Sequence, residues 1–146
     1  MLIRSVLFTP ATRLDRLPKA LSSGADLVIV DLEDGVGEAD KDLARAAVVD
    51  LAARRYEGSA TRIGVRINTL GSAAGIRDMA ALLDCEAWPG VLVVPKVNAA
   101  AEVTQVTNLV AGRGTRLLVT LESATGLAHA ADILAAAPAD ALVGYG

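Results

Sequence analysis

The chain has 146 residues, of which 53% are hydrophobic, 21% charged and 3% aromatic, and its formal net charge is −3. That length suits one core, and the apolar content excludes an intrinsically disordered chain. A pI near 5.1 with no basic stripe excludes nucleic acid as the expected partner.

Cys85 stands alone, which rules out an internal disulfide framework and suits a reducing compartment. The opening "MLIRSVLFTPATR" carries Arg4 within a short apolar run and does not read as a signal peptide. No uncharged apolar stretch reaches the roughly 18 residues that a transmembrane helix needs. A soluble cytoplasmic protein is therefore expected, without membrane or nucleic-acid partners.

Taken in order, the first apolar, β-branched run predicts a strand over 5–9, followed by a helix over 14–22. A strand over 27–32 leads to a helix over 41–54, and a strand over 62–67 to a helix over 75–83. A strand over 91–95 precedes a helix over 100–111, and a strand over 117–121 precedes one over 127–136. A last strand covers 141–145. Gly24, Gly58, Gly90 and Gly114 punctuate these elements where left-handed residues are wanted, and Pro138 follows the last helix. Thr12 with Asp15 three residues on resembles an N-cap at the first helix, a place where an anionic phosphate can sit.

Strict alternation of continuous apolar strands with helices argues for a parallel sheet covered by helices. Two architectures fit: a doubly wound open sheet, or part of a (β/α)8 barrel. The first turn, "FTPATRLDR", lacks the Gly-rich fingerprint of a dinucleotide-binding sheet. Only six strands are present, whereas a complete barrel typically takes about 250 residues.

Period-2 geometry puts Leu27, Ile29, Asp31 and Glu33 on one side of the second strand, and Val28, Val30 and Leu32 on the other. The same count groups Gly64, Arg66 and Asn68; then Leu92, Val94 and Lys96; then Leu118, Thr120 and Glu122. Four consecutive strands thus end in charge, with carboxylates, Arg, Lys and carboxylate in turn. In parallel α/β folds the C-terminal strand ends carry the active site. A mouth lined by Asp31, Glu33, Asp34, Arg66, Lys96 and Glu122 could hold a divalent cation and a carboxylate together.

The stretch "RSVLFTPATRLDRLPKALSSGADLVIVDLEDGVGEADKDLAR" resembles the N-terminal signature of the citrate lyase β-subunit-like proteins, within the HpcH/HpaI aldolase superfamily. "VRIN", "VLVVPKV", "LLVTLESATGL" and "ALVGYG" follow in the family's order, so the resemblance covers essentially the whole chain. It implies a TIM (β/α)8-type barrel of the phosphoenolpyruvate/pyruvate type, with residues 1–146 as one domain, its N-terminal and central part. It also implies a Mg²⁺-dependent carbon–carbon lyase that cleaves or forms a bond next to a carbonyl, commonly with acyl-CoA thioesters such as citryl-CoA or malyl-CoA. A homo-oligomer, trimer or hexamer, is implied as well.

Carried over by position, Glu122 matches the first metal-ligating carboxylate. Arg66 matches the arginine that grips a keto-acid carboxylate and stabilises the enolate. Asp31, Glu33 and Asp34 match the acidic cluster around the metal's waters and that arginine. Arg13 and Lys19 fall near positions that approach the coenzyme A phosphates, and Lys96 belongs with the substrate-binding residues. The family's second metal ligand, an Asp, is expected beyond Gly146, as are strands seven and eight. The family's "VPG" is here "TPA" at Thr9 to Ala11. A piece of a longer protein is the expectation, with a truncated half-barrel binding or assembly module as the alternative. A class I aldolase using Lys96 as a Schiff base is the other alternative, which the carboxylate-rich mouth disfavours.

Other features read as structural. His129 is expected on a helix face, Cys85 as a plain thiol, and Trp88 with Pro89 as packing at the bottom of the barrel. Residues 41–55, with Arg45, Arg54 and Arg55 among Asp42 and Asp50, read as a solvated helix face.

Overall fold

A computed structural model describes residues 3–55 and 63–145. Six strands form one sheet: β1 (Val6–Pro10), β2 (Leu27–Asp31), β3 (Ile63–Arg66), β4 (Val91–Val94), β5 (Arg116–Leu121) and β6 (Leu142–Tyr145). The helices are α1 (Leu17–Leu21), α2 (Lys41–Ala53), α3 (Ala73–Leu83), α4 (Ala100–Leu109), α5 (Ala124–Ala128) and α6 (Ala130–Ala136). All neighbouring strands are parallel, in the order β1-β2-β3-β4-β5-β6.

That order decides between the two architectures. A doubly wound sheet reverses its strand order and carries helices on both faces. Here the order never reverses, so right-handed crossovers deliver every helix to the same face. The packing agrees. One large cluster joins Val28, Val30, Leu32, Val65, Leu92, Val94 and Val119 to the helical residues Val48, Leu82, Val103, Val106 and Ile133. A second, smaller cluster on the helix-free face holds Leu27, Ile29, Val91 and Val93 with no helical member. The chain folds as a partial (β/α)8-type barrel, with β1 and β6 as its edges. Among the described residues no helix is long and apolar enough to cross a membrane.

The expected elements are all present where they are described, with shifted bounds. The first helix differs most. A 3-10 stretch, Ala11–Arg16, is kinked at Arg13 and precedes a helix of only Leu17–Leu21, whose start carries Pro18. Thr12 caps neither: the capping position of the 3-10 stretch is Pro10 and that of the helix is Arg16, both without a side-chain hydrogen bond, and Asp15 instead accepts from Arg13 at 3.0 and 3.1 Å. The fifth helix breaks at His129, which separates α5 from α6. Gly24 and Gly114 adopt positive φ as expected, as does Gly112, whereas Gly90 does not and Gly58 lies outside the described residues. Gly90 instead extends the ladder, donating to Ile63 O and accepting from Arg116 N.

Two period-2 assignments are corrected. Leu92 and Val94 face the helices, and Val91 and Val93 face the inner side, so Lys96 does not share their face by alternation. Lys96 has φ of 54°, a left-handed turn that breaks the strand's period and swings the side chain to the mouth. Such a conformation costs a non-Gly residue about 1–3 kcal/mol and persists where surrounding contacts enforce it. Asn68 likewise leaves the side of Gly64 and Arg66, because its amide bonds to Asp78 on α3. The 41–55 segment is not simply a solvated face, since Arg45 is largely buried and pairs with the fully buried Asp78 at 2.8 Å. Trp88 is buried as expected, with the Arg113 guanidinium 5.4 Å from its ring centroid.

Candidate functional site

Strand register builds the site. Asp31 lies across from Arg66, at the C-terminal ends of β2 and β3. Their side chains meet in a two-pronged pair: Arg66 Nε donates to Asp31 Oδ1 and Nη2 to Oδ2, each at 2.7 Å. The other lone pairs of Asp31 accept from the amides of Glu33 at 2.9 Å and Gly35 at 2.8 Å. A buried ion pair persists only with such complete satisfaction, because desolvation costs several kcal/mol per ion. Burial works against charge on Asp31, but the Arg66 hydrogen bonds and the two amides outweigh it and hold its carboxyl below the ordinary value. The Phe8 ring lies under the guanidinium, with Arg66 Cζ 4.9 Å from its centroid.

Beyond Asp31 the chain turns, and Glu33 and Asp34 enter the mouth. Arg66 Nη1 lies 3.0 Å from Glu33 Oε2 and 3.5 Å from Asp34 Oδ2. Lys96 Nζ lies 2.9 Å from Glu33 Oε1 and 3.1 Å from Asp34 Oδ1. Contacts with these two carboxylates push the Lys96 ammonium above its ordinary pKa, the opposite of what a Schiff-base amine needs. Glu33 is 5% exposed, and burial pushes its carboxyl up despite the opposing influence of Lys96 and Arg66.

Glu122 follows β5, three strands along the sheet from β2. Thr120 Oγ1 donates to Glu122 Oε1 at 2.6 Å. Ser123 then caps α5, accepting from Gly126 N at 2.9 Å, and donates to Asn98 Oδ1. Gly126 is where the β4 and β5 loops touch: a Cβ there would strike the backbone oxygen of Val97. His129, expected on a helix face, instead sits exposed at the break between α5 and α6, its Nδ1 3.2 Å from Asn98 O in the same loop.

Carboxylate oxygens of Glu33, Asp34 and Glu122 lie within 4.8 Å of one another. Three observations fit a divalent cation there. Both Glu33 oxygens are buried at ion-pair distance from Lys96 and Arg66, yet neither receives a directed hydrogen bond. Among the described residues, the ion pairs that Asp31, Glu33, Asp34 and Glu122 make are with two cations, Arg66 and Lys96, so the four carboxylates outnumber their paired cations. The donors are all carboxylate oxygens, the chemistry that Mg²⁺ prefers, and few enough to leave room for waters and substrate.

The structure thus brings together Asp31, Glu33, Asp34, Arg66, Lys96 and Glu122. It does not bring in Arg13 or Lys19. Arg13 is exposed and paired with Asp15, and Lys19 lines, with Arg16, a groove of ≈ 700 Å³ beside Leu7 and Phe8 on β1. Glu33 and Asp34 cluster with Glu122, while Asp31 stands behind them holding Arg66. Phe8 and Thr120 are supporting residues that sequence reasoning did not single out, although period 2 places Thr120 beside Glu122.

A family model described as HpcH/HpaI aldolase/citrate lyase matches residues 4–144. The chain belongs to this family. It is 37% identical over 144 residues to an L-malyl-CoA/beta-methylmalyl-CoA lyase from Rhodobacter capsulatus, covering 92% of this chain and 45% of that protein. Among solved structures, RipC from Yersinia pestis superposes with a TM-score of 0.80 at 40% identity, covering 99% of this chain and 58% of the other. A citrate lyase beta subunit from Mycobacterium tuberculosis, complexed with oxaloacetate and magnesium, gives 0.77 at 37% identity, covering 97% and 56%. The chain spans about half the length of the curated relatives it matches.

Proposed function

We propose that this chain carries the metal- and carboxylate-binding half of a Mg²⁺-dependent carbon–carbon lyase, acting on an acyl-CoA or 2-keto-acid adduct of the citryl-CoA or malyl-CoA type. The observation that carries the reading is the Glu33–Asp34–Glu122 cluster set directly against Arg66. The family relatives support it: one is named a malyl-CoA lyase, and another was solved with oxaloacetate and magnesium.

Glu33, Asp34 and Glu122 would hold the cation, whose Lewis acidity would polarise the substrate's carbonyl. Arg66, fixed by Asp31 on its Nε edge, presents its Nη1 side to the mouth, where the contact with Asp34 at 3.5 Å is the weakest it makes. A substrate carboxylate can take over that side of the planar guanidinium, which a lysine could not match with two parallel hydrogen bonds. Asp31 therefore orients Arg66 and leaves the chemistry to others. Lys96 keeps charge near the entering anion. Arg13 and Lys19, with the groove along β1, are offered as coenzyme A contacts. A cytoplasmic homo-oligomer, trimeric or hexameric, goes with this reading, as does a single barrel domain of which residues 1–146 form the first part.

Replacing Glu122 with Gln keeps the shape and removes one ligating charge. Mg²⁺-dependent cleavage of malyl-CoA or citryl-CoA should be abolished, and unchanged turnover would sink the assignment.

A further inference from the structure

The mouth's acidic turn is held from behind by Lys41, a side chain that bonds to backbone carbonyls there. Leu32 N donates to Arg66 O at 2.9 Å, the last rung between β2 and β3. Past that rung the two strands part, and their backbone groups find side-chain partners. Asn68 N, which would continue the ladder, donates instead to Asp78 Oδ2 at 2.9 Å. Leu32 O accepts from Asn68 Nδ2 at 2.8 Å and from Lys41 Nζ at 2.7 Å. Lys41 Nζ also reaches Glu33 O at 2.6 Å. One ammonium, at the first residue of α2, thus grips two successive carbonyls, one of them that of Glu33 itself.

Peptide planes that are pinned this way fix the Cα–Cβ directions of Glu33 and Asp34. Without the clamp the Leu32 and Glu33 carbonyls would keep only neutral donors, Asn68 Nδ2 at 2.8 Å and Val36 N at 3.1 Å, and would lose the charge-assisted one that ties both to α2. Behind Lys41, Asp78 ties Asn68 to Arg45, so the support continues into α2 and α3.

We infer that Lys41 is a positioning residue for the metal centre, acting through the Leu32 and Glu33 carbonyls to aim the Glu33 and Asp34 carboxylates at the cation. The inference rests on the metal reading above for its effect on binding, but its effect on the turn stands by itself. Groups that orient metal ligands typically contribute about 10–100-fold in metal affinity.

The test uses the purified full-length protein and Mn²⁺ as a paramagnetic reporter. Lys41→Met should weaken Mn²⁺ binding by about 10-fold or more with little change in melting temperature, and Lys41→Arg, which keeps several donors, should restore most of it. A Lys41→Met protein that binds Mn²⁺ like its parent overturns the inference. Amide exchange separates the two readings. In Lys41→Met the amides of Glu33, Gly35 and Val36 should exchange at least about tenfold faster while those of α3 do not change. If the parent itself binds no Mn²⁺, the metal reading falls and exchange alone decides the clamp: unchanged exchange overturns it. Should Lys41→Met lose the fold, Lys41→Gln, which keeps one donor, carries the same measurements.

Discussion

Replacing Asp78 with Ala probes what holds the second and third βα units together. The Asp78 side chain is fully buried and accepts three hydrogen bonds: from Arg45 Nε at 2.8 Å, Asn68 N at 2.9 Å and Asn68 Nδ2 at 2.7 Å. Alanine leaves a buried backbone N–H and a largely buried guanidinium without their main acceptor. Breaking a buried pair from one side costs about 3–5 kcal/mol. Arg45 keeps Asp42 at 2.5 Å, an exposed partner, so the lower end applies, about 3 kcal/mol. That is a large share of the roughly 5–15 kcal/mol that keeps a domain folded. Urea unfolding reads the loss directly as a lower midpoint. The double variant Asp78→Leu with Arg45→Met, which replaces the pair by apolar groups, should recover much of it. A loss below about 1 kcal/mol for Asp78→Ala would refute the reasoning, because it is what a surface pair contributes.

Three further outcomes are expected. A Cβ at Gly35 would lie 2.6 Å from Asp31 Oδ2, so Gly35→Ala must displace the carboxylate that orients Arg66. Turnover should fall by about 10²-fold, as for a misplacement of roughly 1 Å, with substrate-saturation kinetics as the readout. Borohydride added with pyruvate should leave Lys96 unmodified on intact-mass analysis, because its paired ammonium is held protonated. Asp26 accepts from Arg4 N at 2.9 Å and Ser5 N at 3.1 Å, and the Arg4 backbone hydrogen bond, against a smaller burial effect, holds its carboxyl below the ordinary value. A depressed folded pKa gives stability that is present above the unfolded value, about 3.9, and is lost as pH falls through the folded one. Asp26→Asn should therefore lower the melting temperature at neutral pH and narrow its gap to the parent as pH drops below about 4.

The sequence made the strand–helix rhythm legible because each strand is a continuous apolar run and each helix has a separate period. Asp31, Glu33 and Arg66 were placed on one inner face by simple alternation, and the structure pairs them. Lys96 reached the mouth for a reason that alternation cannot supply, a left-handed backbone turn at its own Cα. Asn68 went the other way because a buried acceptor, Asp78, sits ten residues later on a helix, and hydropathy gives no sign of that contact. For the same reason Arg45 looked solvated. Thr12 and Asp15 matched a capping pattern, but Pro18 and the kink at Arg13 leave no regular helix start for them to cap. Local pattern carried the fold and most of the mouth; long-range polar pairing set the remainder.

The claim that Glu33, Asp34 and Glu122 share a divalent cation is tested most directly by soaking crystals of the protein in Mn²⁺ and computing an anomalous difference map. The account predicts one strong peak between those three side chains, in contact with Glu122, and its loss in crystals of Glu122→Gln. An absent peak there, or an ion bound elsewhere in the barrel while these carboxylates remain paired only with Arg66 and Lys96, would contradict it.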